Sequence, residues 1–375
     1  MHGFPPRPFG KDAVMQELPL SRRSFLSATF AAGVAFSPVA SLMAQEPRRV
    51  PLGLDAHSMR AWKWKAPQLI DFAAECRLDA VSFNSLAFFE SLEEEYLRQI
   101  RDRAASHGLN IYLSAGSICE NGTSFSPKYG SARELALLGI RTASILGSPV
   151  VNVRIGKLAD RYLEGGIRPR MEACIGVLKS VRSQALDAGI KFGFENHAGD
   201  LRSVEVLELI EEVGTDVCGV MLDPGNSLWT MEDPMQQLRM LGKHVVCTSV
   251  RDYMVWETPD GAAFQWTAVG EGLMDVAEFV RILGESAPGV PLFVESISNA
   301  PQSVPFLTPE YWKGFPDMRA SEIVDFLKLC RRGRAIEVET PPEGVDKTTF
   351  DRASQRREFL KSIENLRKHG AGLKA

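Results

Sequence analysis

Ile190-Lys191-Phe192-Gly193-Phe194-Glu195 is a short apolar run that ends in a carboxylate. Two further runs, Cys218 to Asp223 (CGVMLD) and Pro291 to Glu295 (PLFVE), end the same way. Near-continuous apolar stretches of this length read as strands buried on both faces, as parallel strands are. Successive side chains in a strand point to opposite sides, so Glu195 shares a face with Gly193 and His197, and Phe192 and Phe194 share the other. The same parity pairs Asp223 with Met221 and Glu295 with Phe293. The remaining apolar residues fall on the side that helices would cover.

Outward from these three runs, the pattern between Val50 and Gly333 alternates strand and helix eight times. The other strand candidates are VPLGLDA from Val50, DAVSFN from Asp79, NIYLSAG from Asn110, PVVNVRIG from Pro149 and HVVCTS from His244. Amphipathic periodicity predicts helices over Ala66–Cys76, Ser91–His107, Ala132–Leu146, Arg170–Ala188, Ser203–Val213, Met235–Gly242, Asp275–Leu283 and Ala320–Cys330. Eight such units in roughly 280 residues predict an α/β fold, a (β/α)8 TIM barrel, over 46–340. An open doubly wound sheet is disfavoured because no glycine-rich turn follows the first strand. Pro341-Pro342 ends the barrel, and 341–375 reads as a C-terminal helical extension. Its helix, about Asp351 to Lys368, carries Phe359, Leu360, Ile363 and Leu366 on one stripe, to pack on the barrel or on a second copy of the chain.

Chemistry in such a barrel sits at the carboxyl ends of the strands, where Glu195, Asp223 and Glu295 converge. Like charges gathered there repel, and a divalent cation is the usual remedy. One strand-helix interval beyond Asp223, Ser249 ends HVVCTS at the same rim. A metal site of Glu195, Asp223, Ser249 and Glu295 is oxygen-rich and suits Mn²⁺ first, with Mg²⁺, Zn²⁺ or Co²⁺ as the other candidates. His57, His197, Asn226, Arg251 and Trp256 are the expected substrate contacts. Plainer roles compete: Glu195 and Glu295 as rim acids paired with Arg154 and Arg251, Asp223 as a turn residue in Asp-Pro-Gly-Asn, and the histidines as hydrogen-bonded rim groups. Two long connections, Arg251–Met274 and Ser296–Arg319, hold Tyr253, Trp256, Trp266, Tyr311, Trp312 and Phe315. These read as lids over the site or as contacts between copies in a homo-oligomer.

Residues 1–44 read as an address rather than part of the fold. Ser21-Arg22-Arg23-Ser24-Phe25-Leu26 sets a twin arginine before an apolar stretch, and a cut near Ala44 predicts a periplasmic protein, or a membrane-tethered one if the signal stays on. No other segment nears eighteen apolar residues. The whole chain carries −4 and the address about +2, which leaves about −6, no footprint for nucleic acid. Six cysteines form no C-x-x-C pair and read as buried thiols.

Phe194-Glu195-Asn196-His197, Leu222-Asp223-Pro224-Gly225-Asn226, Val250-Arg251-Asp252, Val269-Gly270-Glu271-Gly272 and Val294-Glu295-Ser296 together resemble the xylose-isomerase-like barrels, the sugar phosphate isomerases/epimerases. The resemblance covers about 50–333. It implies a divalent metal on Glu195, Asp223, a seventh-strand residue and Glu295, with Glu195 and Glu295 as catalytic groups passing a sugar proton from opposite sides. That seventh-strand ligand is normally a histidine in a His-x-Lys/Arg-Asp run, and here it is Ser249, a poor ligand for manganese or zinc. The resulting expectation is a metal-dependent isomerase or epimerase. Export favours a non-phosphorylated sugar or sugar derivative. The rivals are a lyase or hydratase on a keto-glycoside and an exported, non-catalytic carbohydrate-binding barrel. A DNA-cleaving relative needs a histidine cluster, and His57, His107, His197 and His244 are too few and partly on the wrong rim.

Overall fold

The computed structural model describes residues 49–372; the twin-arginine segment lies outside the described residues. In chain order the strands are β1 (Leu52–Asp55), β2 (Ala80–Phe83), β3 (Asn110–Ser117), β4 (Val150–Arg154), β5 (Lys191–Glu195), β6 (Cys218–Leu222), β7 (Val245–Thr248), β8 (Asp252–Thr258), β9 (Gly261–Thr267), β10 (Leu292–Val294) and β11 (Gln302–Val304). The helices are α1 (Ala66–Glu75), α2 (Glu94–Ser106), α3 (Ala132–Leu146), α4 (Arg168–Ser180), α5 (Arg182–Asp187), α6 (Ser203–Val213), α7 (Pro234–Leu241), α8 (Val276–Ser286), α9 (Val324–Arg332) and α10 (Lys347–Lys368).

Strands β1 to β7 pair with their neighbours in parallel, and β10 pairs in parallel with β1. The ring closes at a bridge between Val250 and Val294, where Val250 N–H donates to Phe293 O (2.7 Å) and Glu295 N–H to Val250 O (3.0 Å). The eight runs picked out in the sequence are the eight staves of a TIM barrel. Strand parity holds: Met221 and Phe293 meet Ala80, Tyr112, Val150 and Cys247 inside the barrel, whereas Phe192, Phe194, Val220 and Leu222 join the larger core under the helices. All six cysteines are buried and unpaired. Among the described residues no helix is long and apolar enough to cross a membrane.

Helix boundaries follow side-chain caps. Ser131 and Glu134 form a reciprocal capping box that starts α3, and Gly147, at φ 75°, ends it. The single helix expected over Arg170–Ala188 is two, α4 and α5. The Ser180 hydroxyl donates to Val177 O (2.7 Å), and Val181 leaves helical geometry at φ −115°, ψ 9°. The helix α10 starts earlier than its apolar stripe suggested because Asp346 caps it, accepting from Thr349 N–H (3.0 Å) and the Thr349 hydroxyl (2.6 Å). It packs on its own chain: Phe359 meets Phe72 with ring centres 5.7 Å apart, and Gln355 accepts from Ala61 N–H (3.0 Å).

The connection after β7 is not an open lid. It folds as the antiparallel β8–β9 hairpin, to which β11 adds a third strand. Asp252 holds the glycine-rich segment that follows, its buried carboxylate accepting from Tyr253 N–H (2.7 Å), Gly270 N–H (3.0 Å), Gly272 N–H (3.0 Å) and Met274 N–H (2.9 Å). Asp252→Ala strands these donors and should cost at least about 2 kcal/mol of stability, read as a lower urea midpoint. An unchanged midpoint would show the segment to be held by other contacts.

Candidate active site

Each staple of the site follows from strand parity at the carboxyl rim. Glu195 ends β5, Ser249 follows β7, and Glu295 follows β10; all three line one cavity of about 510 Å³ with His57, His197, Asn226 and Arg251. Asp223, just past β6, is 0 % exposed and stands behind that wall. Its Oδ1 accepts from Asn226 N–H (3.0 Å) and its Oδ2 from Asn226 Nδ2 (2.8 Å). Asn196 fixes its backbone, donating from Nδ2 to Asp223 O (3.0 Å) and accepting from Asp223 N–H (3.1 Å).

Arg251 joins two of the acids. It is only 4 % exposed; Nη1 lies 2.7 Å from Glu295 Oε2, and Nη2 contacts Asp223 Oδ2. Ser249 Oγ donates to the same Glu295 oxygen (3.0 Å). The guanidinium lies over the Trp266 ring, 4.2 Å from its centre, and Trp266 Nε1 donates to Gly225 O (3.0 Å). Gly225 is there because nothing larger fits: a Cβ would stand 2.6 Å from Trp266 Nε1 and 2.7 Å from Arg251 Nε. Gly225→Ala should therefore displace the guanidinium and lower turnover more than stability. Equal kinetic constants for the variant and wild type would argue against that tight fit. Glu195 has a looser partner, Arg154 Nη1, at 3.6 Å.

Burial and charge set the protonation states. Burial, reinforced by Glu295 and Glu195, drives the Asp55 carboxyl far above its ordinary value. Burial also pushes Asp223 up to about 8 against the pull of Arg251. Glu295 is buried too, but the Arg251 guanidinium, His57 and the Ser249 hydroxyl outweigh this and hold it below the usual carboxylate value. Burial lowers both His57 and His197, which are neutral at pH 7. The His197 Nδ1–H faces Gly156 O, which leaves Nε2 as the acceptor nitrogen.

Two expectations fail here. Trp256 does not line the cavity: β8 carries it away from the rim, opposite Ala263 on β9, and the returning strand brings Trp266 instead. Tyr311 and Phe315 do not roof the site either. Their rings stack on each other at 5.2 Å, and Phe315 carries the buried Arg161 guanidinium 4.3 Å from its centre. Sequence reasoning missed Asp55, which ends β1 as Glu195 ends β5, so the same rule would have found it. Trp64, after β1, faces the cavity beside Phe88.

Residues 70–330 match the family described as xylose isomerase-like TIM barrel. Among curated proteins the chain is 24% identical over 252 residues to an uncharacterized Escherichia coli protein, YihM, covering 64% of this chain and 71% of that one. It is 20% identical over 210 residues to the 3-oxo-isoapionate decarboxylase of Pectobacterium atrosepticum, covering 55% of this chain and 68% of that one. Solved structures with this fold include D-psicose 3-epimerase with D-tagatose from Clostridium cellulolyticum, at TM-score 0.55 and 15% identity over 86% of this chain and 99% of that one. They also include a magnesium-bound barrel from Mycobacterium smegmatis, at TM-score 0.52 and 15% identity over 76% of this chain and 97% of that one. The match spans more than half of the sequence and all of the strands from β2 to β10, and the chain belongs to the xylose isomerase-like TIM barrel family.

Proposed function

We propose that this chain is a sugar isomerase or epimerase that moves a proton on the carbon next to a carbonyl of a non-phosphorylated sugar or sugar derivative. One observation carries the reading: Glu195 and Glu295, from strands on different parts of the ring, face one cavity that also presents the cationic Arg154 and Arg251. Carboxylates are competent bases for such a proton, and the charge that develops on the carbonyl oxygen needs a fixed donor. Glu195, the less tightly paired of the two, removes the proton. Return on the other face gives an epimer, and return at the neighbouring carbon an isomer. Trp64, Phe88 and Trp266 supply apolar faces for a sugar ring. Export by the twin-arginine route supports a substrate without phosphate.

The divalent metal of the resemblance, Mn²⁺ or another, fits this donor set poorly. Ser249 stands at the histidine position, Asp223 has both oxygens engaged behind the cavity wall, and a guanidinium already lies between Asp223 and Glu295. Among the described residues no three metal-ligating side chains are grouped. The chemistry therefore uses the chain's own groups.

Elimination or decarboxylation is the second reading, favoured by the relative named as a decarboxylase of a 3-oxo sugar acid. Elimination shares the enediolate formed by proton abstraction, whereas decarboxylation reaches an enediolate by breaking a C–C bond with loss of CO₂; in each the charge develops on the carbonyl oxygen. Proton NMR of ketoses, oxidised sugars and keto-glycosides in D₂O with the full-length protein separates the outcomes. Deuterium at the carbon beside the carbonyl, with an epimer or isomer formed, supports the first reading. Loss of CO₂ or of a leaving group supports the second, and binding without exchange would leave a carbohydrate-binding barrel.

A further inference from the structure

We propose that the Arg251 guanidinium is the resident cation of this site, standing between the two carboxylates that the resemblance assigns to a metal and receiving the carbonyl oxygen of a keto sugar. The proposal rests on the proton-transfer reading above and names the electrophile that reading needs.

Parity places Arg251 there. Val250 bridges to Val294 and closes the ring, so its neighbours Ser249 and Arg251 both point inward, as Cys247 does two residues earlier. From that position the side chain reaches Asp223 with one Nη and Glu295 with the other, which is the fork geometry that suits arginine and not lysine. Trp266 packs against its face, and the bare backbone at Gly225 leaves room for it. A guanidinium keeps its charge at any working pH. A divalent ion would have to expel a buried cation held by two carboxyl groups and an aromatic ring, and would gain only a serine hydroxyl in place of an imidazole.

The guanidinium has donors to spare. It carries five N–H bonds, and two of them serve the carboxylates. Arg251 Nε is buried against Gly225 without a partner among the described residues, so the donors that Arg251 offers to the cavity it lines are its remaining Nη–H bonds. A carbonyl oxygen that becomes an enediolate oxygen is the acceptor these donors suit. In the step itself the C–H bond beside the carbonyl breaks and its proton passes to the Glu195 carboxylate. The electron pair becomes the C=C bond, the carbonyl π pair moves to oxygen, and Arg251 N–H groups hold that oxygen. Reprotonation at carbon restores the carbonyl, with no oxidant or reductant consumed.

The test uses the full chain, freed of metal by a chelator and titrated calorimetrically with MnCl₂, MgCl₂ and ZnCl₂, with metal content measured after dialysis. Wild type should bind each ion more weakly than about 1 mM and show no thermal shift. Ser249→His/Arg251→Ala should bind Mn²⁺ at least about 100-fold more tightly. One tightly held ion per chain in wild type overturns the proposal, and that arm does not depend on any variant folding. Metal-free wild type should exchange deuterium into a keto sugar, and Arg251→Lys, checked for fold by circular dichroism, should exchange about 10²- to 10³-fold more slowly. Full exchange in Arg251→Lys also overturns it. Wild type that binds no metal and exchanges no keto sugar counts against the proton-transfer reading, whereas metal binding counts against Arg251 however the exchange falls.

Discussion

Glu295→Gln should slow deuterium exchange into a keto sugar about 10²- to 10⁴-fold, the range a positioned acid or base contributes. The amide keeps the size of the side chain and can still accept from Ser249 Oγ, but it cannot take or give the proton. It also removes the Glu295 charge, which holds one side of the Arg251 guanidinium. The loss should therefore appear in kcat more than in KM, because the missing charge orients a group that acts as the enediolate forms. The measurement is the NMR exchange rate of variant and wild type under one set of conditions. A variant that exchanges at the wild-type rate would remove Glu295 from the chemistry.

The second large effect lies outside the cavity. Arg161 is buried under Phe315, with Nη1 2.7 Å and Nη2 2.9 Å from the Glu205 carboxylate, Nε 2.7 Å from Gly314 O and Nη1 2.8 Å from Asp200 O. Arg161→Met leaves Glu205 with Arg202 alone and should cost about 3–5 kcal/mol, the cost of breaking a buried pair. Burial works to raise the Glu205 carboxyl, but Arg161 and Arg202 outweigh it and hold the group below its ordinary value of 4.5. The stabilisation from the pair is thus complete above about pH 4.5 and is lost as the pH falls through the lower folded value. Urea unfolding of wild type and Arg161→Met at pH 7 and pH 4 should show the gap between them narrowing in acid. A gap that is constant or wider at pH 4 would contradict this assignment.

What the sequence made legible was whatever obeys a short-range rule. The staves of the barrel are apolar runs of the right length, and parity alone put Met221, Phe293, Glu195 and Glu295 on the inner side. The helices α3 and α6 match their periodic segments to the residue because their ends coincide with the ends of their apolar stripes. Where a polar side chain competes for the backbone, periodicity misled: Ser180 breaks one amphipathic stretch in two, and Asp346 starts α10 before its stripe begins. The site was readable in its acids but not in its pairing. Arg251 lies two residues past Ser249, so the same parity points it inward, yet its contacts depend on Trp266 and Gly225, which come from other segments. Trp256 and Trp266 look alike as loop aromatics, and only the register of the β8–β9 hairpin tells which one reaches the rim. The aromatics that stand over Arg161 read as a lid or as contacts between copies for a similar reason: nothing local shows that Phe315 meets a cation from the segment after β4.

In the proposed reaction two glutamates work on a sugar carbon while a guanidinium, rather than a metal, receives its oxygen. A crystal structure of the full chain with a keto sugar bound, grown with Mn²⁺ present, tests it most directly. The carbonyl oxygen should lie within about 3 Å of an Arg251 nitrogen, the ordinary length of a charge-assisted hydrogen bond, and the adjacent carbon between Glu195 and Glu295. A manganese ion between Asp223 and Glu295, with the Arg251 side chain turned away, would contradict it.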